Sequence, residues 1–287
     1  DAPVGFSNSL KIENDSAVTP GTNENGGMTT FLEGQDLQDF CFGTASAKPM
    51  TVSFYAKAGG SAAGTYCLKI SYLKDGGDRK AQTRGFTITT SWQRFSFTLA
   101  ANGTSTSAGI RNSNSAGLQL YWHLTCGTGD QTGEITTWGG GTGGLDGLTG
   151  QSNFSANASN EFYLTGVQVE VGDVLTSFEH RSYGDELARC QRYYWKSFPE
   201  GTVPATNLGN ADSIFFNVVS GYNGSVQLTK TFRVSPTVVF YNPSAANSNN
   251  SSSGSVAVNR STSNGIFIEW GNVAGNSYTQ MTAEAEL

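Results

Sequence analysis

Residues 160–171 read Asn-Glu-Phe-Tyr-Leu-Thr-Gly-Val-Gln-Val-Glu-Val, and residues 183–194 read Tyr-Gly-Asp-Glu-Leu-Ala-Arg-Cys-Gln-Arg-Tyr-Tyr. In the first run Phe162, Leu164, Val167, Val169 and Val171 alternate with polar residues, the period of a strand with one buried face. In the second, Leu187, Cys190 and Tyr194 recur at helical spacing, with Asp185 and Glu186 in the first turn, where the helix dipole favours acids. No other stretch of the chain carries a helical pattern. A β-rich unit therefore closes before the helix and a second one opens after it.

The chain on both sides supports that division. Upstream, alternating runs over residues 9–13, 29–32, 48–57, 65–73, 81–89, 92–99, 118–125 and 162–171 predict about eight strands, at the spacing of a two-sheet antiparallel sandwich. Asp75-Gly76 within residues 74–78 marks a hairpin turn. Residues 126–160 are read as a long irregular loop. Downstream, residues 213–219, 225–232, 237–241, 255–259, 266–270 and 278–286 predict about six more strands, and the Ser/Asn-rich residues 244–253 an exposed tip. The fold expectation is all-β: an antiparallel jelly-roll sandwich over residues 1–176, a linker with a short helix over 177–196, and a smaller β-sandwich over 197–287.

Composition narrows the function. The net charge of −6 and the lack of a basic block argue against nucleic acid as a partner, because phosphate binding is driven by Lys and Arg. No run of about 18 apolar residues spans a membrane. The start at Asp1, without Met or an apolar leader, is read as a portion of a longer polypeptide. The four cysteines show no CxxC pairing and are read as reduced and structural, and two histidines are too few for a histidine-based metal site. Gly-x-Ser-x-Gly is absent and the acidic residues are scattered, so a non-enzymatic role is expected.

Several segments resemble one family. Residues 1–11, 42–57 and 92–98, then Gly166-Val167-Gln168-Val169-Glu170-Val171-Gly172, Phe178-Glu179-His180-Arg181-Ser182-Tyr183-Gly184 and Cys190-Gln191-Arg192-Tyr193-Tyr194, resemble tail-fibre-like structural proteins of tailed bacteriophages of marine type. In that family the last three runs close a carbohydrate-binding-module-like jelly roll. Residues 232–238 resemble the small H-type-lectin-like sandwich that often ends such fibres. The resemblance implies a virion surface protein, commonly a homotrimer, that joins other virion proteins and meets host surface polysaccharide. The alternative within the same architecture is a capsid decoration protein or head fibre. No ligand residue is implied by the resemblance.

Ligand candidates therefore come from chemistry. Sugar rings pack an apolar face on Trp or Tyr while their hydroxyls need polar neighbours. Trp138 in the Gly-rich stretch is read as an exposed aromatic, with Tyr121, Trp122, Asp130 and Gln131 completing a patch; by strand alternation, one of Tyr121 and Trp122 faces the core. Tyr222, Tyr241 and Arg260 are the candidates in the second unit, where Trp270 is read as packing inside or at a trimer axis. Leu187, Cys190 and Tyr194, with Arg189 and Arg192, are read as the interdomain joint. No cofactor is expected other than a structural calcium, common in such jelly rolls, held by carboxylates near Glu13, Asp15 or Glu161.

Overall fold

A computed structural model of the chain describes residues 1–76, 78–103, 109–140, 147–199, 201–203, 214–218, 223–242, 250–251, 254–270 and 275–286. Among these no helix is long and apolar enough to cross a membrane. The chain divides into two compact units, Asp1–Glu179 and His180–Glu286. Residues 204–213, 219–222 and 243–249, which hold Tyr222 and most of the expected tip, lie outside the described residues.

The first unit is an antiparallel jelly-roll sandwich. Its strands are β1 (Leu10–Glu13), β2 (Asn25–Glu33), β3 (Met50–Gly59), β4 (Gly64–Leu73), β5 (Arg79–Ile88), β6 (Gln93–Leu99), β7 (Ala116–Cys126), β8 (Gln131–Thr132), β9 (Gly139–Gly140), β10 (Gly147–Leu148) and β11 (Glu161–Val171). They form a four-stranded sheet, β1-β11-β3-β6, and a five-stranded sheet, β2-β7-β4-β5-β9. Every long strand alternates. In β3 the core face is Met50, Val52, Phe54, Ala56 and Ala58; in β7 it is Leu118, Leu120, Trp122 and Leu124. The two inner faces interlock around Phe54, whose ring meets Trp122 edge-on at 5.5 Å and lies against Phe95 at 5.4 Å. Burying side chains of this size supplies the main stabilising term.

Residues 126–160 are more structured than a loop. They contain β8, β9, β10 and two short 3-10 turns, and Thr83 ties the stretch to β5 by exchanging bonds with Ile135 (N to O, 3.0 Å; Ile135 N to Oγ1, 2.8 Å). Their few aliphatic residues and high Gly content leave no periodic signal, so this order arises from contacts with distant strands. A 3-10 helix over Gly34–Phe40, also without a periodic signal, buries Leu37 and Phe40.

The second unit contains α1 (Tyr183–Cys190), β12 (Tyr194–Lys196), β13 (Ile214–Val218), β14 (Asn223–Gln227), β15 (Thr237–Tyr241), β16 (Asn250–Ser251), β17 (Gly254–Ser261), β18 (Gly265–Trp270) and β19 (Gly275–Glu284). One sheet runs β12-β19-β13 with β15 also on β19; the other runs β14-β18-β17-β16. Leu228, Phe232, Phe240, Ile266, Ile268 and Met281 make its core. The segment read as a linker belongs largely to this unit, because β12 pairs with β19 from Tyr194↔Glu284 to Lys196↔Thr282.

α1 begins at Ser182, whose Oγ accepts from the Asp185 amide at 3.2 Å and donates to the Asp185 carboxylate at 2.6 Å. No residue of this helix is buried, so its cap is a large share of what holds it. Ser182→Ala is expected to cost about 1 kcal/mol in urea unfolding of this unit, and Ser182→Asn much less. Equal midpoints for Ser182→Ala and the parent would show that the cap does not support the helix.

Candidate functional site

The first unit has two outer faces, and the structure treats them differently. The outer face of β1-β11-β3-β6 is overlaid by both ends of the unit. Phe6 packs on Tyr55 (5.2 Å) and Phe178 (4.9 Å). It sits over Gly166, where φ is +59° and any Cβ would come within 2.7 Å of the Phe6 ring. Gln168 accepts from the Glu179 amide at 2.8 Å. Lys57 pairs with Asp1 and lies over the Tyr163 ring at 4.7 Å and the Trp92 ring at 5.7 Å.

The outer face of β2-β7-β4-β5 is built otherwise. Because Leu118, Leu120, Trp122 and Leu124 point inward, Gln119, Tyr121, His123 and Thr125 point outward. Register places Thr29 of β2 opposite Tyr121 on one side, and Lys69 of β4 opposite it on the other. Ser71 lies opposite Gln119. Tyr121 is half-buried and stacks on buried His123, ring centroids 3.7 Å apart at 29°.

Side chains from three strands, β2, β5 and β7, and the turn after β7 form two polar chains there. Arg79 donates to Gln119 Oε1 (3.3 Å) and Gln119 Nε2 to Thr29 Oγ1 (3.1 Å). Thr29 Oγ1 donates to the Leu120 carbonyl (3.2 Å). The Tyr121 hydroxyl donates to Asn25 Oδ1 (3.2 Å), and Asn25 Nδ2 to Asp130 (3.4 Å). Beneath them Ser71 Oγ is fully buried and has no hydrogen-bond partner among the described residues, an uncompensated polar atom on the outward side of a strand.

One end of the face is roofed. Glu134 accepts from the Gly85 amide (2.5 Å), Leu148 lies where a Gly85 side chain would be, and Gln151 Nε2 donates to the His123 carbonyl (3.3 Å). Arg84 fastens this roof through the Ile135 carbonyl (2.8 Å), and its burial lowers the guanidinium pKa from its ordinary value. The part bearing Thr29, Gln119 and Tyr121 is exposed or half-exposed.

The structure brings together only part of the expected patch. Tyr121 and Asp130 meet through Asn25, and Gln131 lies next to Asp130, where Nε2 donates to the Cys126 carbonyl (2.9 Å). Trp122 is 0% exposed on the opposite face of the sheet and is not a ligand contact. Trp138 is not the exposed aromatic that its glycines suggest. Its ring packs edge-on against Tyr72 (5.0 Å) and Phe42 (5.6 Å), and Nε1 donates to the Ala100 carbonyl (2.7 Å). Asn25, Thr29, Ser71, Arg79 and Gln119 were not identified from sequence. For Gln119 a signal existed: Leu118, Leu120, Trp122 and Leu124 share one strand phase, which assigns Gln119 and Tyr121 to the other.

The remaining candidates are dispersed. Glu13 and Glu161 face each other across β1 and β11, but Lys11 Nζ occupies the space between them, 2.9 Å from Glu13 and 2.5 Å from Glu161. Glu161 and then Glu13 raise the Lys11 pKa, and Lys11 and then Tyr163 lower that of Glu161. A calcium ion would have to displace this ammonium, so the pair does not fit the expected metal. Asp15 is exposed, and no group of three or more His, Cys, Asp or Glu side chains gathers among the described residues.

In the second unit Tyr241 is half-buried on β15, and Arg260 is exposed on β17 in the other sheet. Leu187, Cys190 and Tyr194 line a cavity of about 310 Å³ with Trp195 and Phe198, all within this unit. Arg189 is exposed, and the Arg192 carbonyl accepts from the Arg233 amide (3.1 Å). The cysteines are free thiols: Cys67 and Cys126 are buried, Cys41 is intermediate and Cys190 is exposed.

Comparison with solved structures finds loose likenesses, among them the following two. A structure described as "CBM4 structure and function" is 15% identical over 56% of this chain and 69% of its own, with a TM-score of 0.27. The N-terminal CBM22-1-CBM22-2 tandem domain of Paenibacillus barcinonensis Xyn10C is 13% identical over 96% of this chain and 78% of its own, with a TM-score of 0.29. No protein-family model and no curated protein matches the chain.

Proposed function

We propose that the larger sandwich is a non-catalytic glycan-binding module, and that the chain is a virion surface protein, a tail or receptor-binding fibre, which forms a homotrimer and contacts host polysaccharide. The observation that carries the binding reading is the open half of the five-stranded sheet. A half-exposed Tyr121 ring is ringed by amide, hydroxyl and guanidinium groups from separate strands, above a buried serine with no partner among the described residues. A pyranose offers an apolar face for such a ring and hydroxyls for such a rim. The virion reading is supported by the phage-fibre resemblance centred on residues 166–194.

Tyr121→Ala tests the binding reading. Its ring is half-buried and stacked on His123, so unfolding should become easier by about 1 kcal/mol, and binding is compared on folded protein. Affinity for host surface polysaccharide should fall by about 2 kcal/mol, roughly thirtyfold in Kd. Equal affinity of Tyr121→Ala and the parent in isothermal titration would remove the face from the binding site. Antibody labelling of phage particles in electron micrographs tests the virion reading: label on the tail supports the fibre, and label on the shell supports the decoration protein.

A further inference from the structure

A cavity of about 280 Å³ opens at the edge of the sandwich, next to the polar face. Buried Leu124 and Phe154, with half-buried Ile12, make its floor; Val18, 51% exposed, and the exposed Glu24 and Asn25 stand at its rim. Asn25 belongs to both places, since its Oδ1 takes the Tyr121 hydroxyl while its side chain also lines the cavity. A ligand lying on Tyr121 and extending past Asn25 would reach this opening.

The lining differs from that of the face. The Thr125 and Ser155 hydroxyls also line it but are bonded to each other at 2.8 Å, so an unsubstituted sugar hydroxyl moved from water onto Leu124 and Phe154 exchanges good hydrogen bonds for poor ones. A methyl group attached through a short polar linkage fits instead, with its methyl on the floor and its polar atoms at the rim beside Asn25. Resting on the glycan-binding reading of the face, we propose that this pocket seats an acetyl group and that the module selects acetylated glycans. The acetyl group is carried either as an acetamide or as an acetate ester.

Two ligand pairs separate these sources by titration calorimetry: N-acetylated chitotetraose against cellotetraose, and acetylated xylotetraose against its alkali-deacetylated form. Filling an apolar pocket with one methyl is worth roughly tenfold or more. The expected result is that ratio in at least one pair, the first assigning the acetamide and the second the ester. Val18→Asp should reduce the ratio to about one. Val18 holds its place through its backbone amide, which donates to the Ser155 carbonyl at 2.7 Å, so this exposed substitution should leave the melting midpoint unchanged.

A ratio of about one in both pairs for the parent protein, with Tyr121→Ala still weakening every ligand, overturns the pocket and leaves the face standing. A preference that survives Val18→Asp in folded protein also overturns it. No binding to any of the four sugars overturns both readings.

Discussion

Trp122→Ala is expected to lower the stability of the first unit by about 3–5 kcal/mol, the cost of emptying a large aromatic site in a close-packed core. Trp122 is completely buried, sits at the centre of the β7 inner face and meets Phe54 edge-on at 5.5 Å. Phe54 in turn contacts Phe86 at 5.3 Å and Phe95 at 5.4 Å, so the void would open beneath both sheets. At about 2–4 °C per kcal/mol for a unit of this size, the midpoint should fall by roughly 6–20 °C. Calorimetry of Ala and Phe variants side by side makes the test specific. Nε1 of Trp122 is buried with no hydrogen-bond partner among the described residues, so Trp122→Phe keeps most of the ring packing and discards an unpaired donor. It should cost less than about 1.5 kcal/mol. If Ala proves no worse than Phe, the core assignment is wrong. Because Trp122 and Tyr121 face opposite ways, Trp122→Ala should leave the glycan affinity of the folded fraction intact.

The second large effect is expected at Gly27→Ala. A Cβ there would lie 1.9 Å from the Trp122 carbonyl oxygen and 3.0 Å from the Leu124 nitrogen, both backbone atoms with little room to yield. The β2–β7 register shifts between Gly26 and Gly27, so the substitution falls on the irregular pairing that seats β2. A cost of about 3 kcal/mol, the upper part of the range for overpacking, is expected. Binding should weaken as well, because Asn25, two residues away, holds both the Tyr121 hydroxyl and Asp130. Gly26→Ala is the control: its Cβ would meet only the Thr125 Cβ, at 4.0 Å, and should change little. Urea unfolding of the two variants decides the matter, and equal midpoints would refute the steric account.

Strand period was the strongest signal in the amino-acid order. A half-buried strand must alternate, and the runs at residues 48–57, 65–73 and 237–241 coincide closely with β3, β4 and β15. The short pairings β8, β9 and β10 left no such trace, since two residues cannot show a period and their neighbours are mostly Gly, Thr and Ser. The expected site suffered for the same reason. Trp138 lies among glycines, and nothing local reveals that Tyr72 and Phe42 wait to pack against it.

What the linear order of residues carried was therefore the class of fold, two β-rich strand patterns with a helical pattern between them, and a composition without a basic block or a recognisable catalytic motif. These follow from local period and composition, which the chain carries without folding. Strand phase already sets Trp122 and Tyr121 on opposite faces, but only folding decided what surrounds them. It buried the flank of Trp138, set Lys11 between two carboxylates, and gathered Asn25, Thr29, Ser71, Arg79 and Gln119 onto one face. Cross-strand neighbours on this face are fixed by register between residues distant in the chain, 96 positions for Asn25 and Tyr121, and register depends on the packing of the whole inner face.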